Sequence, residues 1–321
     1  MDLYFAPMEG ITGYLFRSAH RRWFGGVDRY FMPFFTPSQE HAFTRRAFQD
    51  LLPEHNQGLN AVPQLLTRRA EDFLWAAGEL KAMGYGEVNL NLGCPSGTVV
   101  AKGKGSGLLK DLAALDGFLE EVFAHIEMKV SVKTRLGLER PEEFPAILEV
   151  FNRYPIAELT IHPRVQRDLY KNRVHLAAFE AALPQCVAPV CYNGDLVTAA
   201  EVHDLAGRFP QVGAVMLGRG LVGDPALARK VRGGPAAARE ELRGFHDEVY
   251  EGYSAAFGSR RNATLRMKEL WFYLIHLFAD GDKLYKRLKK ARDPAEFESA
   301  AAAIFRELEL RQDSAAGWLD R

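Results

Sequence analysis

The sequence predicts an α/β protein, a (β/α)8 TIM barrel followed by a C-terminal all-helical domain. Short apolar runs rich in strand-forming residues alternate with longer stretches of helical periodicity up to about residue 235. Eight such units with continuously apolar strands favour a closed parallel barrel over an open sheet. We place the barrel at residues 1–235 and the helical domain at residues 236–321.

The boundaries of the predicted elements rest on local signals. Thr198 precedes a predicted helix, and Glu201 stands at the capping-box position. Gly233, Gly234 and Pro235 interrupt the alternation, and no clear strand follows them. The predicted helices include residues 68–83, 109–125, 142–152 and 199–209. The predicted strands are residues 3–6, 29–32, 60–65, 87–92, 129–134, 158–161, 190–192 and 214–217.

Composition limits the classes of function and the compartment. The formal net charge of the 321 residues is zero, so an enzyme acting on nucleic acid would need a local basic patch. We find neither a secretory signal nor an apolar run of membrane-span length, and we expect a cytoplasmic protein without a membrane partner. The spacing of Cys94, Cys186 and Cys191 predicts no disulfide and no metal site. No obligatory protein partner is evident.

Polar residues stand where the predicted strands end. In a barrel of this kind the carboxyl ends of the strands meet at one rim, where active sites lie. A polar residue at one strand end is unremarkable, but six strand ends in register are hard to assign to stability alone. We therefore expect a functional site formed by Met8, Gln64, Asn91, Cys94, Lys133, Arg135, His162, Arg164, Asn193, Asp195 and Arg219.

Tight glycine turns after the seventh and eighth strands predict a phosphate site. Asn193, Gly194 and Asp195 form the first turn, and Gly218 and Arg219 form the second. Backbone N–H groups exposed in such turns, just before a helix, bind phosphate in many barrel enzymes. Arg219 can add a bidentate contact. The cofactor or the substrate is therefore expected to carry a phosphate.

Lys133 would lie inside the barrel, where a cation needs an anionic or electron-rich partner. A flavin ring that gains negative charge on reduction would serve, and so would a Schiff base. An aldolase that uses Lys133 and a sugar phosphate is thus one alternative. A flavin-barrel reductase of a small enone or pyrimidine is another, and a non-catalytic RNA-binding module is a third.

Seven segments of the chain resemble the bacterial, FMN-dependent tRNA-dihydrouridine synthase family, and they occur in the family's order. The segments are YFAPMEGIT, VPQLL, NLNLGCPSG, VKTRLG, IHPR, YNGD and LGRG. The resemblance implies reduction of the C5=C6 bond of specific uridines in tRNA to 5,6-dihydrouridine, with FMN as cofactor and NADPH as reductant. Hydride would pass from flavin N5 to C6, and Cys94 would be the general acid that protonates C5.

The resemblance also implies individual roles. Asn91 would orient the uracil, and Arg164 would lie on the substrate side. Lys133 would stabilise the anionic reduced flavin. The residues implied in binding FMN are Pro7, Met8, Gln64, Lys133, His162, Asn193, Gly194, Asp195, Gly218 and Arg219.

For three features the residues themselves leave two interpretations open. Cys94 could be a structural cysteine, although its place between Gly93 and Pro95 favours catalysis. The glycine-rich segment 102–107 lacks phosphate-loop spacing and is expected to be a mobile lid beside Cys94. A basic run in the helical domain is either a solvated helix face or a surface that contacts RNA phosphates. It consists of Lys286, Arg287, Lys289 and Lys290.

Overall fold

The computed structural model describes residues 1–38 and 40–315, in which the strands form one parallel sheet. The strands are β1 (Asp2–Phe5), β2 (Arg29–Phe31), β3 (Ala61–Val62), β4 (Gln64–Leu65), β5 (Glu87–Leu92), β6 (Lys129–Arg135), β7 (Leu159–His162), β8 (Val190–Tyr192) and β9 (Ala214–Leu217). Their order in the sheet is β3-β2-β1-β9-β8-β7-β6-β5-β4.

Pro63 divides the predicted third strand into β3 and β4. Proline has no backbone N–H to donate, so it interrupts a strand ladder. β3 pairs with β2, and β4 pairs with β5, so the two pieces stand at opposite ends of the sheet order. Because one short segment joins these ends, the sheet closes on itself. The predicted (β/α)8 barrel is confirmed.

The helices begin close to the predicted positions, with differences that capping explains. Glu201 N–H donates to Thr198 Oγ1 at 3.2 Å, and Thr198 N–H donates to Glu201 Oε2 at 2.9 Å, which is the predicted capping box. The helix predicted at residues 109–125 begins only at Leu112, because Asp111 Oδ1 accepts the N–H of Ala114. The helices are α1 (Tyr14–Trp23), α2 (Arg45–Leu51), α3 (Ala70–Ala82), α4 (Gly97–Val100), α5 (Leu112–His125), α6 (Phe144–Phe151), α7 (Leu176–Ala182), α8 (Ala199–Arg208), α9 (Arg219–Gly223), α10 (Leu227–Val231), α11 (Arg239–Phe257), α12 (Arg260–Leu274), α13 (Asp282–Lys290) and α14 (Pro294–Glu307).

The chain divides into two compact units. The first unit holds Met1–Pro7, Arg29–Asp195 and Phe209–Met216, and with them nearly the whole sheet. The second unit holds two earlier segments, Met8–Asp28 and Leu196–Arg208, and the chain from Leu217 onward. The domain boundary at residue 235 stays a prediction, since the second unit also contains residues that precede it.

Each unit buries its own apolar core. In the second unit Trp271 is fully buried, and its indole N–H donates to His246 Nε2 at 3.1 Å. Phe278 and Phe305 contact the same indole ring. In the described residues, no helix has both the length and the apolar character needed to span a membrane. The core of the first unit includes a cluster of Tyr4, Ala6, Phe31, Val62, Cys191, Ala214 and Met216.

Candidate active site

Side chains from four neighbouring strands share one row inside the barrel. Asn91 on β5 pairs in register with Lys133 on β6, and Lys133 pairs with Thr160 on β7. The row continues to Cys191 on β8, which belongs to the buried barrel core. Because side chains alternate between the two faces along each strand, residues paired in parallel register lie on the same face. Asn91 and Lys133 therefore face the barrel interior.

A continuous chain of hydrogen bonds, here called the polar relay, links five side chains of the barrel. Glu87 Oε1 accepts from the Ser131 hydroxyl at 2.6 Å, and Ser131 Oγ accepts from Asn89 Nδ2 at 2.9 Å. Asn89 Oδ1 accepts from Gln64 Nε2 at 2.7 Å. Gln64 Oε1 in turn accepts from Asn91 Nδ2, also at 2.7 Å. All of these residues except Glu87 are buried.

The carboxylate of Glu87 sets the direction of every bond in the polar relay. An ionised carboxylate only accepts hydrogen bonds, so Ser131 must donate to it and can accept from Asn89. The same argument passes from one amide to the next, because each NH₂ group must face an oxygen. Asn91 therefore turns its carbonyl oxygen toward the far end of the relay.

The far end of the polar relay holds the loop that carries Cys94. Asn91 Oδ1 accepts the backbone N–H of Gly93 at 3.1 Å and that of Cys94 at 2.9 Å. The Cys94 carbonyl oxygen accepts from the Ser106 hydroxyl at 2.9 Å. Gly105 has a φ of +57°, and a Cβ added there would lie 2.9 Å from the same carbonyl oxygen. The segment predicted as a lid thus packs against Cys94; whether it moves stays a prediction.

Lys133 has no counter-ion in the part of the chain that the structure describes. It is half-buried, and its Nζ makes no hydrogen bond or ion pair with the residues that the structure describes. Burial and the nearby Arg135 guanidinium lower the pKa of Lys133 to about 8, while negative charge on Cys191 or Cys94 would raise it. Cys94 is half-buried and forms no disulfide. The ammonium is therefore suited to an electron-rich group that is not part of the chain.

Arg164 ties the end of β7 to the turn after β8. The guanidinium is buried, and its Nη1 lies 3.0 Å from both His162 Nε2 and Asp195 Oδ1. Its Nε donates to the Asn172 carbonyl at 2.8 Å. Because a guanidinium only donates, His162 Nε2 carries a lone pair, and the neutral ring has its proton on Nδ1. Direct contact between Arg164 and a substrate stays a prediction, and in this structure the side chain positions His162 and Asp195.

The turn after β8 is tight enough to require glycine. Asn193 Nδ2 donates to the Met216 carbonyl at 2.7 Å, which connects the turn to β9. A Cβ added to Gly194 would lie 2.9 Å from both Tyr192 Oη and Val174 Cγ1. Close packing within the protein thus accounts for the glycine. The role of Asn193 and Gly194 in phosphate binding stays a prediction.

Four other residues predicted to bind a cofactor, Pro7, Met8, Gly218 and Arg219, lie within two residues of the start of a segment of the second unit. Met8 N–H donates to Thr12 Oγ1 at 2.8 Å in the turn after β1. Gly218 caps the amino end of α9, whose first residue is Arg219. Pro7, the last residue of its segment in the first unit, is half-buried. The predicted contacts of these residues with a cofactor remain predictions.

The predicted basic run lies on the exposed side of α13. Tyr285 and Leu288 are the buried residues of this helix, and they anchor it. Arg287 Nη2 donates to Ser299 Oγ at 2.9 Å. This arrangement suits either RNA contact or a solvated face, so both interpretations remain. The exposed basic residues are Lys286, Arg287, Lys289 and Lys290.

Arg135 is a structural link that the sequence did not reveal. It is 1% exposed, and its Nε donates to the Gly93 carbonyl at 3.0 Å. Its Nη1 and Nη2 donate to the carbonyls of Val165 and Leu169 at 2.8 and 2.7 Å. Arg135 therefore joins the Cys94 loop to the loop after β7. Its place at a strand end was the one available signal, because backbone carbonyls distant along the chain leave no sequence pattern.

Comparison with known proteins gives the family. A family described as Dihydrouridine synthase (Dus) matches residues 4–307. A probable tRNA-dihydrouridine synthase of Rhizobium leguminosarum bv. phaseoli is 27% identical over 276 residues, which cover 84% of each chain. A probable tRNA-dihydrouridine synthase of Staphylococcus aureus (strain MRSA252) is 31% identical over 236 residues, which cover 70% of each. The chain belongs to the dihydrouridine synthase family of enzymes.

Solved structures agree on the fold. Histamine dehydrogenase from Rhizobium sp. 4-9 has a TM-score of 0.55 at 10% identity, over 72% of this chain and 45% of the other. Morphinone reductase has a TM-score of 0.51 at 13% identity, over 74% of this chain and 87% of the other. At such low identity the likeness supports the barrel fold alone.

Replacing Ser131 with alanine removes the middle of the polar relay. Asn89 Nδ2, which is buried, would then lack its partner at a cost of about 1–3 kcal/mol, and the half-buried Glu87 Oε1 would lose a hydrogen bond worth about 1 kcal/mol. We expect the free energy of unfolding in urea to fall by about 2–4 kcal/mol. Ser96 is exposed, so the control Ser96→Ala should change it by less than about 0.5 kcal/mol. Equal losses in the two variants would contradict the relay.

Gly105→Ala should disturb the Cys94 loop. The left-handed backbone costs a residue with a Cβ about 1–2 kcal/mol, and the new methyl group would press on the Cys94 carbonyl. We expect faster labelling of the Cys94 thiol by a disulfide reagent, located by peptide mass spectrometry. Gly97→Ala is the control, because a Cβ there meets nothing within 4 Å. Unchanged labelling of Cys94 in the Gly105 variant would refute this view of the loop.

Lys133→Met tests the depressed pKa of the buried amine. The pKa of Lys133 is about 8 in the folded protein, against 10.5 for a free lysine side chain. At pH values between these two, the unfolded chain binds more protons than the folded one. Wild-type stability should therefore rise with pH across this window. Near pH 7 we expect the ligand-free Met variant to be more stable by on the order of 3 kcal/mol. The difference should shrink as the pH rises through the window; a difference independent of pH would contradict the shift.

Proposed function

We propose that this enzyme reduces the C5=C6 bond of uridines in tRNA to 5,6-dihydrouridine, with FMN as cofactor and NADPH as reductant. The observation that carries the proposal is the family match over residues 4–307. The curated relatives, named as tRNA-dihydrouridine synthases, support tRNA as the substrate. The arrangement around Cys94 and Lys133 supports the chemistry.

The residues of the barrel rim fit an electron-rich cofactor. Lys133 offers an ammonium with no acceptor among the described residues, and a flavin that becomes anionic on reduction would supply one. Gln64 begins β4 and His162 ends β7, and in this proposal both hydrogen-bond the ring system. In this proposal the remaining FMN contacts come from Pro7, Met8, Asn193, Gly194, Asp195, Gly218 and Arg219.

Bound FMN, in its reduced form, would supply the hydride for uracil C6. The chain must then provide a proton at C5, and Cys94 is the proposed donor. A thiol has a reference pKa of about 8.5, so it is mostly protonated at neutral pH and can act as an acid. The S–H bond breaks as the C5–H bond forms, and the resulting thiolate takes a proton from water. Asn91 holds the loop in place through the N–H groups of Gly93 and Cys94.

The substrate base must leave its stack to reach a site inside a barrel mouth. RNA recognition then depends on shape and phosphate contacts, for which the exposed basic side of α13 is suited. The contacts proposed for RNA phosphates are Lys286, Arg287, Lys289 and Lys290.

One observation favours a second candidate, a Schiff-base aldolase. A pKa of about 8 would leave a useful fraction of Lys133 as the free, nucleophilic amine near neutral pH. The family match outweighs this observation. Borohydride trapping of a carbonyl substrate on Lys133 would favour the aldolase, whereas a yellow protein that bleaches with NADPH would exclude it.

Cys94→Ala tests the proposed general acid. We expect it to bind FMN and to be reduced by NADPH, but to form dihydrouridine on unmodified tRNA about 10²- to 10⁴-fold more slowly. Mass spectrometry of the tRNA digest measures the product. Cys186→Ala is the matched control, since Cys186 donates to the Ala182 carbonyl and burial raises the pKa of its thiol to about 11. Near-normal product with Cys94→Ala would remove Cys94 as the acid.

A further inference from the structure

The second unit contains a cleft of which the proposed function uses one residue, Lys289. It is an open concavity of about 540 Å³, with Ile11 as part of its lining. This volume lies within the range of sites that bind small organic groups, about 300–1,000 Å³. The rest of the lining comes from two helices: Lys268, Glu269, Phe272 and Tyr273 on α12, and Tyr285 and Lys289 on α13.

Both helices present an aromatic ring and a lysine one turn apart. Lys268 and Phe272 are four residues apart on α12, and Tyr285 and Lys289 are four apart on α13, so each pair lies on one helix face. The rings of Phe272 and Tyr273 stand 5.0 Å apart at 89° to each other. The cleft thus offers ring faces and ring edges in different orientations, which suits a flat aromatic ligand.

The rim of the cleft is positively charged. Lys289 Nζ lies 5.0 Å from the centroid of the Tyr285 ring. This contact holds the ammonium group at the rim of the cleft. Lys268 Nζ donates to the Ala291 carbonyl at 2.6 Å. Neither lysine forms an ion pair with a carboxylate in residues 1–38 and 40–315, whereas the carboxylate of Glu269 is paired with Arg266. Two uncompensated ammonium groups beside aromatic rings are complementary to an anion that carries a flat ring.

We propose that this cleft binds one unpaired nucleotide of the RNA substrate, with the base among the aromatic rings and its phosphates at Lys268 and Lys289. The inference rests on the proposed function, because RNA is the ligand. Base stacking on aromatic side chains combined with phosphate contacts to lysine is how proteins hold single-stranded nucleotides. The basic side of α13 continues from the rim through Lys290, which would follow the RNA backbone.

This nucleotide is distinct from the uridine that is reduced. Cys94 and Lys133 belong to the first unit and are not part of the cleft lining. The cleft does adjoin the turn after β1, since Ile11 N–H donates to the Met8 carbonyl at 3.0 Å. The side chains of the cleft would therefore influence which tRNAs are bound, through a base other than the target.

The test measures the affinity of the FMN-loaded protein for an unmodified tRNA transcript at several salt concentrations. Phe272→Leu keeps the apolar volume but removes the ring, and we expect about 5- to 100-fold weaker binding. Phe272→Tyr should restore binding to within about twofold, because a ring face is again present. Phe257→Leu is the matched control, since Phe257 is exposed in the same unit but does not line the cleft.

Lys289→Gln tests the phosphate contact. We expect the slope of log affinity against log salt to become smaller by about one unit. Lys283→Gln removes the same charge from the same helix outside the cleft, and its slope should change less. Thermal unfolding of each variant shows whether it is folded; if Phe272→Leu is not, Lys268→Gln carries the test, because Lys268 lines the cleft and is not part of the basic run on α13.

The outcomes separate this inference from the proposed function. If the wild type binds tRNA and forms dihydrouridine while Phe272→Leu and Lys289→Gln bind like their controls, the cleft proposal is overturned and the function stands. If the wild type binds tRNA but forms no dihydrouridine, the function fails, and the binding data still decide the cleft. A wild type that does not bind the transcript refutes both.

Discussion

The polar relay is the constraint on which the arrangement of the barrel rim depends. Its bonds can run in one direction only, because Glu87 accepts and cannot donate. The direction passes through the buried amides of Asn89 and Gln64 to Asn91, whose carbonyl oxygen accepts from the backbone N–H groups of Gly93 and Cys94. The carboxylate of Glu87, at the start of β5, thus orients the hydrogen bonds that hold the Cys94 loop beyond the end of β5. Buried polar groups of this kind specify one geometry, since each alternative leaves a donor or an acceptor without a partner.

Three cationic side chains complete the surroundings of the thiol, and each has different partners. Arg135 donates hydrogen bonds to backbone carbonyls and so joins the loops after β5 and β7. Arg164 fixes the tautomer of His162 and pairs with Asp195. Lys133 has no such partner in residues 1–38 and 40–315, and burial lowers its pKa. Two of the three cations are thus satisfied by the protein, and the third is left for a ligand.

Part of the site was predictable because it follows strand ends, which apolar runs mark in the sequence. Asn91, Lys133 and His162 lie within the last three residues of their strands, as the apolar runs predict, whereas Gln64 begins the short strand β4. The partners of Arg164 were not predictable, because Asn172 and Asp195 come from separate loops. The interruption of the third strand at Pro63 was visible in the sequence, yet its consequence for closure depends on the pairing of β3 and β4 with different neighbours.

By itself the sequence determined the barrel, the alternation of its elements and the set of polar residues at the rim, because hydrophobic periodicity and turn chemistry are local properties. Tertiary structure alone decided which polar groups satisfy one another. Glu87 and Asn91 lie on one strand, yet the hydrogen bonds that connect them run through Ser131 and Gln64 on its two neighbouring strands. The cleft of the second unit is likewise tertiary, since its rings and lysines come from two helices and Ile11 comes from a distant turn. Contacts across such sequence separations depend on packing, which no local pattern records.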